Sequence, residues 1–190
     1  MATGETDPAF RRVRPITATD LAIAPDDGRR WELLDGGLVV SAPRGLLHQR
    51  AVLGLAIVLR EACPPEFEVV VGPFSVVLAS DTVLAPDLFV ARRDQLTERN
   101  LPGPPELAVE VTSPFRKELD FEGKKEFYER FGTPYFWAVD PGEGPEDVQL
   151  VAMELDKAGR YRRTCLLGGS SRFVTTSPYP VTVVPATLVV

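Results

Sequence analysis

The chain has 190 residues, 44% of them hydrophobic, which suits one domain with a real core. No apolar run is long enough to span a bilayer, and two cysteines, Cys63 and Cys165, without CxxC spacing or a nearby histidine, argue against a zinc site or a disulfide framework. A formal net charge of -6 and a pI of about 4.9 exclude a general nucleic-acid coat, which needs a cationic footprint, but leave room for a local basic rim and a bound cation.

Residues 1–15 read as a loose polar arm without the apolar stretch of a secretory signal, so a cytoplasmic location is expected. Thr17 to Ala24 suits a short helix, with Thr17 capping and Asp20 completing an imperfect capping box. Pro25 to Arg30 is a turn. Trp31 to Leu34 and Leu38 to Ser41 flank Asp35-Gly36-Gly37, a strong hairpin pattern. Leu47 to Ala62 has helical spacing, with Leu47, Ala51, Leu55, Val58, Leu59 and Ala62 on one side, and Cys63-Pro64-Pro65 ends it.

Three strands are predicted next: valine-rich Glu68 to Leu78, Val83 to Ala91, and Glu106 to Thr112, which reads as buried on both faces until Ser113-Pro114 breaks it. Glu118 to Phe131 is a second helix, closed by Gly132 and Pro134. Tyr135 to Asp140 is a further strand. Val148 to Leu155 and Tyr161 to Leu167 form a hairpin around Asp156 to Gly159, and Arg172 to Val190 is short β segments broken by prolines. The order argues for an α+β fold: a mixed central sheet flanked by helices, with a core at 31–141 and a β-rich extension at 148–190.

Three charged residues stand where apolar ones are expected. Leu107, Val109 and Val111 point to one face of their strand, and Ala108, Glu110 and Thr112 to the other, so Glu110 sits at or near the core. An unpaired buried carboxylate costs several kcal/mol, by rough estimate, and something must offset it. Asp87 poses the same problem one strand earlier, and two such carboxylates repel unless a cation lies between them. Oxygen-only ligands suit Mg²⁺ or Mn²⁺. Lys124 continues the helical stripe of Phe127, Tyr128 and Phe131, and from there an ammonium can stabilise charge developing on a phosphate. Singly, each has a plain structural reading: Asp87 as a turn residue, Glu110 as an exposed edge residue, Lys124 as the partner of Asp120. Together they point to a site.

Pro86-Asp87 followed by Glu110-Val111-Thr112 resembles the PD-(D/E)XK nuclease motif. The ordered set "ELLDGGLVV" from Glu32, "HQR" at His48, "PDLFV" from Pro86, "EVTSP" from Glu110, "DFEGKKEFY" from Asp120 and "GTPYFWAVDP" from Gly132 resembles, more closely, the Uma family of putative restriction endonucleases, a branch of that superfamily. The resemblance runs over Trp31 to Pro141. It implies a restriction endonuclease-like αβββαβ core and Mg²⁺-assisted (or Mn²⁺-assisted) hydrolysis of phosphodiester bonds in DNA. It assigns Asp87, Glu110 and the main-chain carbonyl of Val111 as metal ligands. Thr112 stands where the simple motif has lysine, and Lys124 in the following helix takes that role; Lys125 is a rival by numbering but is rotated about 100° away. Glu32, His48 and Thr112 are auxiliary candidates.

Arg44, Arg50, Arg92, Arg93, Arg116 and Lys117 flank these motifs and can form a positive rim or simply be solvated. Two other functions remain open: a catalytically inactive binding or regulatory module on the same fold, and hydrolysis of another phosphoester. Strand edges in the first hairpin and the tail lead to the expectation of a homodimer.

Overall fold

Two sheets and two helices position the candidate residues, and each element follows from the local pattern of apolar side chains. The computed structural model describes residues 15–23, 29–111 and 117–190, with the side chains of 117–122 outside the description. The expected arm, most of the turn at Pro25 to Arg30, Thr112, the break at Ser113-Pro114 and the side chains of Arg116 and Lys117 therefore lie outside the described residues. Among the described residues, no helix is long and apolar enough to cross a membrane.

Helix α1 (Ala18–Leu21) is shorter than expected, and Asp20 accepts hydrogen bonds from both the main chain and the hydroxyl of Thr17. β1 (Arg30–Leu34) and β2 (Gly37–Ser41) form the first hairpin. Asp35 and Gly36 have φ of 49° and 80°, the pair of positive values that a tight two-residue hairpin turn requires. Helix α2 (Leu46–Ala62) buries His48, Ala51, Val52, Leu55 and Leu59 along one stripe.

The next two segments differ from expectation. Glu68 to Leu78 is not one strand but β3 (Phe67–Val71) and β4 (Ser75–Ala79), in different sheets. The chain turns at Gly72-Pro73, where the Gly72 N–H donates to the Asp87 carbonyl and a Cβ on Gly72 would collide with the carbonyl of Pro86. Val83 to Ala91 likewise splits into β5 (Thr82–Leu84) and β6 (Leu88–Arg92) around Ala85-Pro86-Asp87. Valine content marks β structure but not the point where a chain passes from one sheet to another.

β7 (Asn100–Pro102) and β8 (Leu107–Val111) follow, then α3 (Lys117–Arg130) and β9 (Tyr135–Asp140). β10 (Gln149–Leu155) and β11 (Tyr161–Gly168) make the expected hairpin, and β12 (Phe173–Thr175) pairs with β13 (Val181–Val183). The main sheet has the order β11-β10-β9-β8-β6-β3, and a second sheet runs β2-β1-β5-β4-β7. The path α2, β3, β6, β8, α3, β9 is the expected αβββαβ core, with β8 and β9 parallel and β8 and β6 antiparallel.

Alternation along β8 assigns its two faces. Leu107, Val109 and Val111 join α2, β13 and Trp137 in the larger apolar core. Ala108 packs on the other side with Tyr128, Phe136, Ala138 and Leu84. Full burial of each such aliphatic side chain contributes about 1.5–3 kcal/mol. The second sheet covers this other side through Val76 and Leu101, which pack on Phe89 and Ala91 of β6.

Candidate active site

The register of β6 against β8 pairs Leu88 with Val109, which sets Asp87, one residue before β6, beside Glu110. Both carboxylates are buried, each about 2% exposed. Asp87 Oδ2 accepts a hydrogen bond of 2.7 Å from the Val111 amide, so the neighbouring strand itself fixes this carboxylate. That contact engages the amide of Val111; its carbonyl is the group the sequence nominated as a ligand.

Lys124 reaches the same place from α3. Its Nζ lies 2.9 Å from Glu32 Oε1 and 3.2 Å from Glu110 Oε2. It is 5% exposed, whereas the rival Lys125 is only partly buried, as the helical phase requires. Glu32 comes from β1, is buried, and also accepts a 2.8 Å hydrogen bond from the Ala85 amide. Glu32 is thus an anchor between the second sheet and α3. His48, in the first turn of α2, sets Nε2 3.1 Å from Asp87 Oδ2, and neither of its two buried ring nitrogens has an aligned hydrogen-bond partner among the described residues. Asp87, Glu110, Lys124, Glu32 and His48 therefore converge, and Thr112 lies outside the described residues.

Two members escaped the sequence reading. Arg30 donates from Nη2 to Asp87 Oδ1, and its Nη1 lies 3.9 Å from Glu110 Oε2. It stands two residues before Glu32, so the two-residue period of a strand places it on the same face. Tyr128 donates a 2.9 Å hydrogen bond to Glu110 Oε1 and stacks on Phe136. It follows Lys124 by four residues, the spacing of helical neighbours. Both signals were present, but a turn arginine and a core tyrosine are ordinary readings.

Among the described residues, the expected basic rim (Arg44, Arg50, Arg92 and Arg93) does not form as a unit. Arg44 lines a cleft of about 150 Å³ that opens onto Asp87 between α2, the end of the first hairpin and Gly72-Pro73. Arg50 reaches the Val189 carbonyl instead. Arg93 pairs with Glu68, and Arg92 lies near Asp94 and over Phe67, at the end of β6 remote from Asp87. Five or six residues of extended chain separate them from the carboxylates, about 17–20 Å.

Burial and charge divide the two central carboxyls. Burial works to raise the Asp87 pKa, but the His48 ring and the charges of Arg30 and Lys124 prevail and hold it well below the ordinary carboxylate range. Glu110 is pushed up to about 7 by burial, against the pull of Lys124 and with the added repulsion of Asp87. Burial opposes the charge on Lys124, yet Glu110 and Glu32 raise its pKa above the usual value, so it stays an ammonium. Burial, and then the nearby carboxylates, raise the Tyr128 pKa well above normal, keeping its hydroxyl a donor.

Among the described residues no three His, Cys, Asp or Glu side chains form a complete metal-ligand group. The donor chemistry still fits a hard divalent cation in part: two buried carboxylates from adjacent strands, with Arg30 already placing positive charge beside both. Further ligands would have to come from main-chain oxygens or from outside the chain.

A family model, Uma2, described as "Putative restriction endonuclease", matches residues 18–179. No curated protein matches the sequence significantly. Among solved structures, the chain is similar to one described as a putative nuclease belonging to DUF820 from Anabaena variabilis, with a TM-score of 0.70 at 14% identity, over 92% of this chain and 97% of that one. At that identity the likeness is one of fold.

Proposed function

This chain belongs to the Uma2 family of putative restriction endonucleases, and on that premise we propose that Asp87, Glu110 and Lys124 form the active site of a metal-dependent endonuclease hydrolysing phosphodiester bonds in DNA. One observation carries the reading: two buried carboxylates from adjacent strands lie together with a buried ammonium beside one of them. A protein that needed only stability gains little from such a cluster, because well-packed apolar residues of similar volume do as well or better.

Asp87, Glu110 and the Val111 carbonyl would hold Mg²⁺ or Mn²⁺. A cation so bound supplies Lewis-acid polarisation of a phosphoryl oxygen and a more acidic water. The chain's own residues do the rest. The Val111 amide and His48 aim Asp87. Tyr128 holds Glu110 by one oxygen and leaves the other towards Lys124. Glu32 anchors Lys124, whose ammonium can stabilise charge building on the phosphate. The cleft over Asp87, lined by Arg30, Arg44 and His48, suits an anionic group.

The test is cleavage of supercoiled and linear DNA with Mg²⁺ or Mn²⁺. Cleavage is expected, and it should vanish in Asp87→Ala and in Glu110→Ala. Failure to cut any nucleic acid under any divalent metal would overturn the reading.

A second reading, an inactive binding or regulatory module, draws support from the acidic pI and from a cluster that Arg30 already partly neutralises. Calorimetry with Mn²⁺ separates the two, since a module without catalysis has no need to bind metal. A homodimer also belongs to the proposal: β2 is an edge strand, and Leu38, Val39 and Val40 on it are about 40% exposed.

A further inference from the structure

Arg30 neither holds the cation nor aims its ligands in that reading, yet its guanidinium occupies the ground between the two central carboxylates. Its Nη2 donates to Asp87, while Nη1, 3.9 Å from Glu110, is buried and has no hydrogen-bond acceptor among the described residues. A guanidinium built as a permanent clamp uses both arms of its fork. Here one arm is engaged and the other is only near its charge. One arm of the fork is thus left uncommitted beside Glu110.

The charges carry the argument further. With Glu110 ionised, as a metal ligand must be, Glu32, Asp87 and Glu110 contribute three negative charges to the cluster among the described residues, and Arg30 and Lys124 return two. A divalent ion added to that set leaves one positive charge in excess, inside a site too buried for water to screen it well. A phosphodiester carries one negative charge, so ion and phosphodiester together restore neutrality. The route for Arg30 is also visible. It lines the cleft over Asp87 together with Arg44 and His48. The His48 side chain is 8% exposed, and its Nδ1 has no partner, so the cleft holds a buried polar atom awaiting one.

We propose that Arg30 couples metal loading to substrate capture: it serves as the cation of the metal-free cluster, yields that place to a divalent ion, and turns into the cleft to receive one phosphodiester anion beside His48. This rests on the metal-site reading of Asp87 and Glu110. A site whose own arginine must move before the ion binds has its apparent affinity reduced by the fraction of time the site is open. If Arg30 is inside nine-tenths of the time, by way of an order-of-magnitude estimate, the loss is about tenfold.

The experiment titrates Mn²⁺ calorimetrically into wild type, Arg30→Met and Asp87→Asn, with and without dimethyl phosphate, a phosphodiester monoanion without bases. Mn²⁺ should bind Arg30→Met about tenfold more tightly than wild type, by the same relation. Dimethyl phosphate should tighten Mn²⁺ binding to wild type and leave Arg30→Met unchanged, and Asp87→Asn should bind no metal. Equal or weaker Mn²⁺ binding by Arg30→Met, with Asp87→Asn still unable to bind, overturns the role of Arg30 while the metal site stands. Absence of Mn²⁺ binding in every protein removes the metal site and this inference with it. If Arg30→Met does not fold, wild type alone decides by NMR. Rotation of the clamped Arg30 guanidinium should be slow and become fast when Mg²⁺ is added; rotation that ignores Mg²⁺ overturns the proposal.

Discussion

The two faces of β8 make the sharpest contrast in the molecule. On the α2 side, Leu107, Val109 and Val111 pack among aliphatic and aromatic side chains. On the α3 side, one residue out of phase, Glu110 meets Lys124, Tyr128 and, at longer range, Arg30. The first face is held by non-directional burial, where each side chain contributes nearly on its own. The second is held by charges and hydrogen bonds that require one another, because each group left unpaired carries its full desolvation cost. The same strand thus combines a region tolerant of change with one that behaves as a unit.

The largest expected effect tests that unity. Lys124→Met strands Glu32 and Glu110 and should cost roughly 3–5 kcal/mol of metal-free stability in urea unfolding. Adding Glu32→Gln and Glu110→Gln to it should recover most of the loss. An unchanged urea midpoint for Lys124→Met would show that the cluster is not coupled. On the other face, Leu107→Ala should cost about 2–5 kcal/mol through the cavity it leaves. Its Mn²⁺ affinity should stay close to wild type; a large drop would mean that the faces are not independent.

Tyr128→Phe is a smaller change on the polar face. Losing the hydroxyl that orients Glu110 should lower stability by about 1 kcal/mol and metal affinity by roughly tenfold. Calorimetry and unfolding on the same sample compare the two readouts, and a stability loss without an affinity loss would make the tyrosine purely structural.

The remaining effect lies in pH. Because the Glu110 pKa is raised from 4.5 to about 7 in the folded protein, the native state binds its proton more tightly than the unfolded chain does. Its contribution is therefore present in full below about pH 4.5 and is lost as pH rises towards about 7. Asp87 has the opposite sign: its folded pKa is lowered, so its contribution is present above the ordinary carboxylate range and lost in acid. The difference between wild type and Glu110→Gln should slope by no more than about 1.4 kcal/mol per pH unit in that upper window. A difference flat with pH would place Glu110 at an ordinary pKa.

Much of this site was legible before any fold was known. Glu110 stood out because a carboxylate interrupted the apolar run from Leu107 to Val111, and Lys124 because it sat on the stripe of Phe127, Tyr128 and Phe131. Glu32 and His48 were reached only through a resemblance, since neither breaks its local pattern. Arg30 and Tyr128 were passed over because each has a commonplace local explanation. The strands at 68–78 and 83–91 were read as continuous because their valines do not change character where the chain leaves one sheet for the other.

By itself the sequence determined which residues face inwards, since strand and helix periods are set by the backbone within a few residues. It thereby determined the αβββαβ order and the presence of charges in the core. Only the tertiary structure decided which of those charges meet. Asp87 and Glu110 are neighbours through the β6–β8 register, and Arg30 reaches them from another sheet, across 57 positions of chain to Asp87. Such pairings depend on how whole elements dock, and no local period records that.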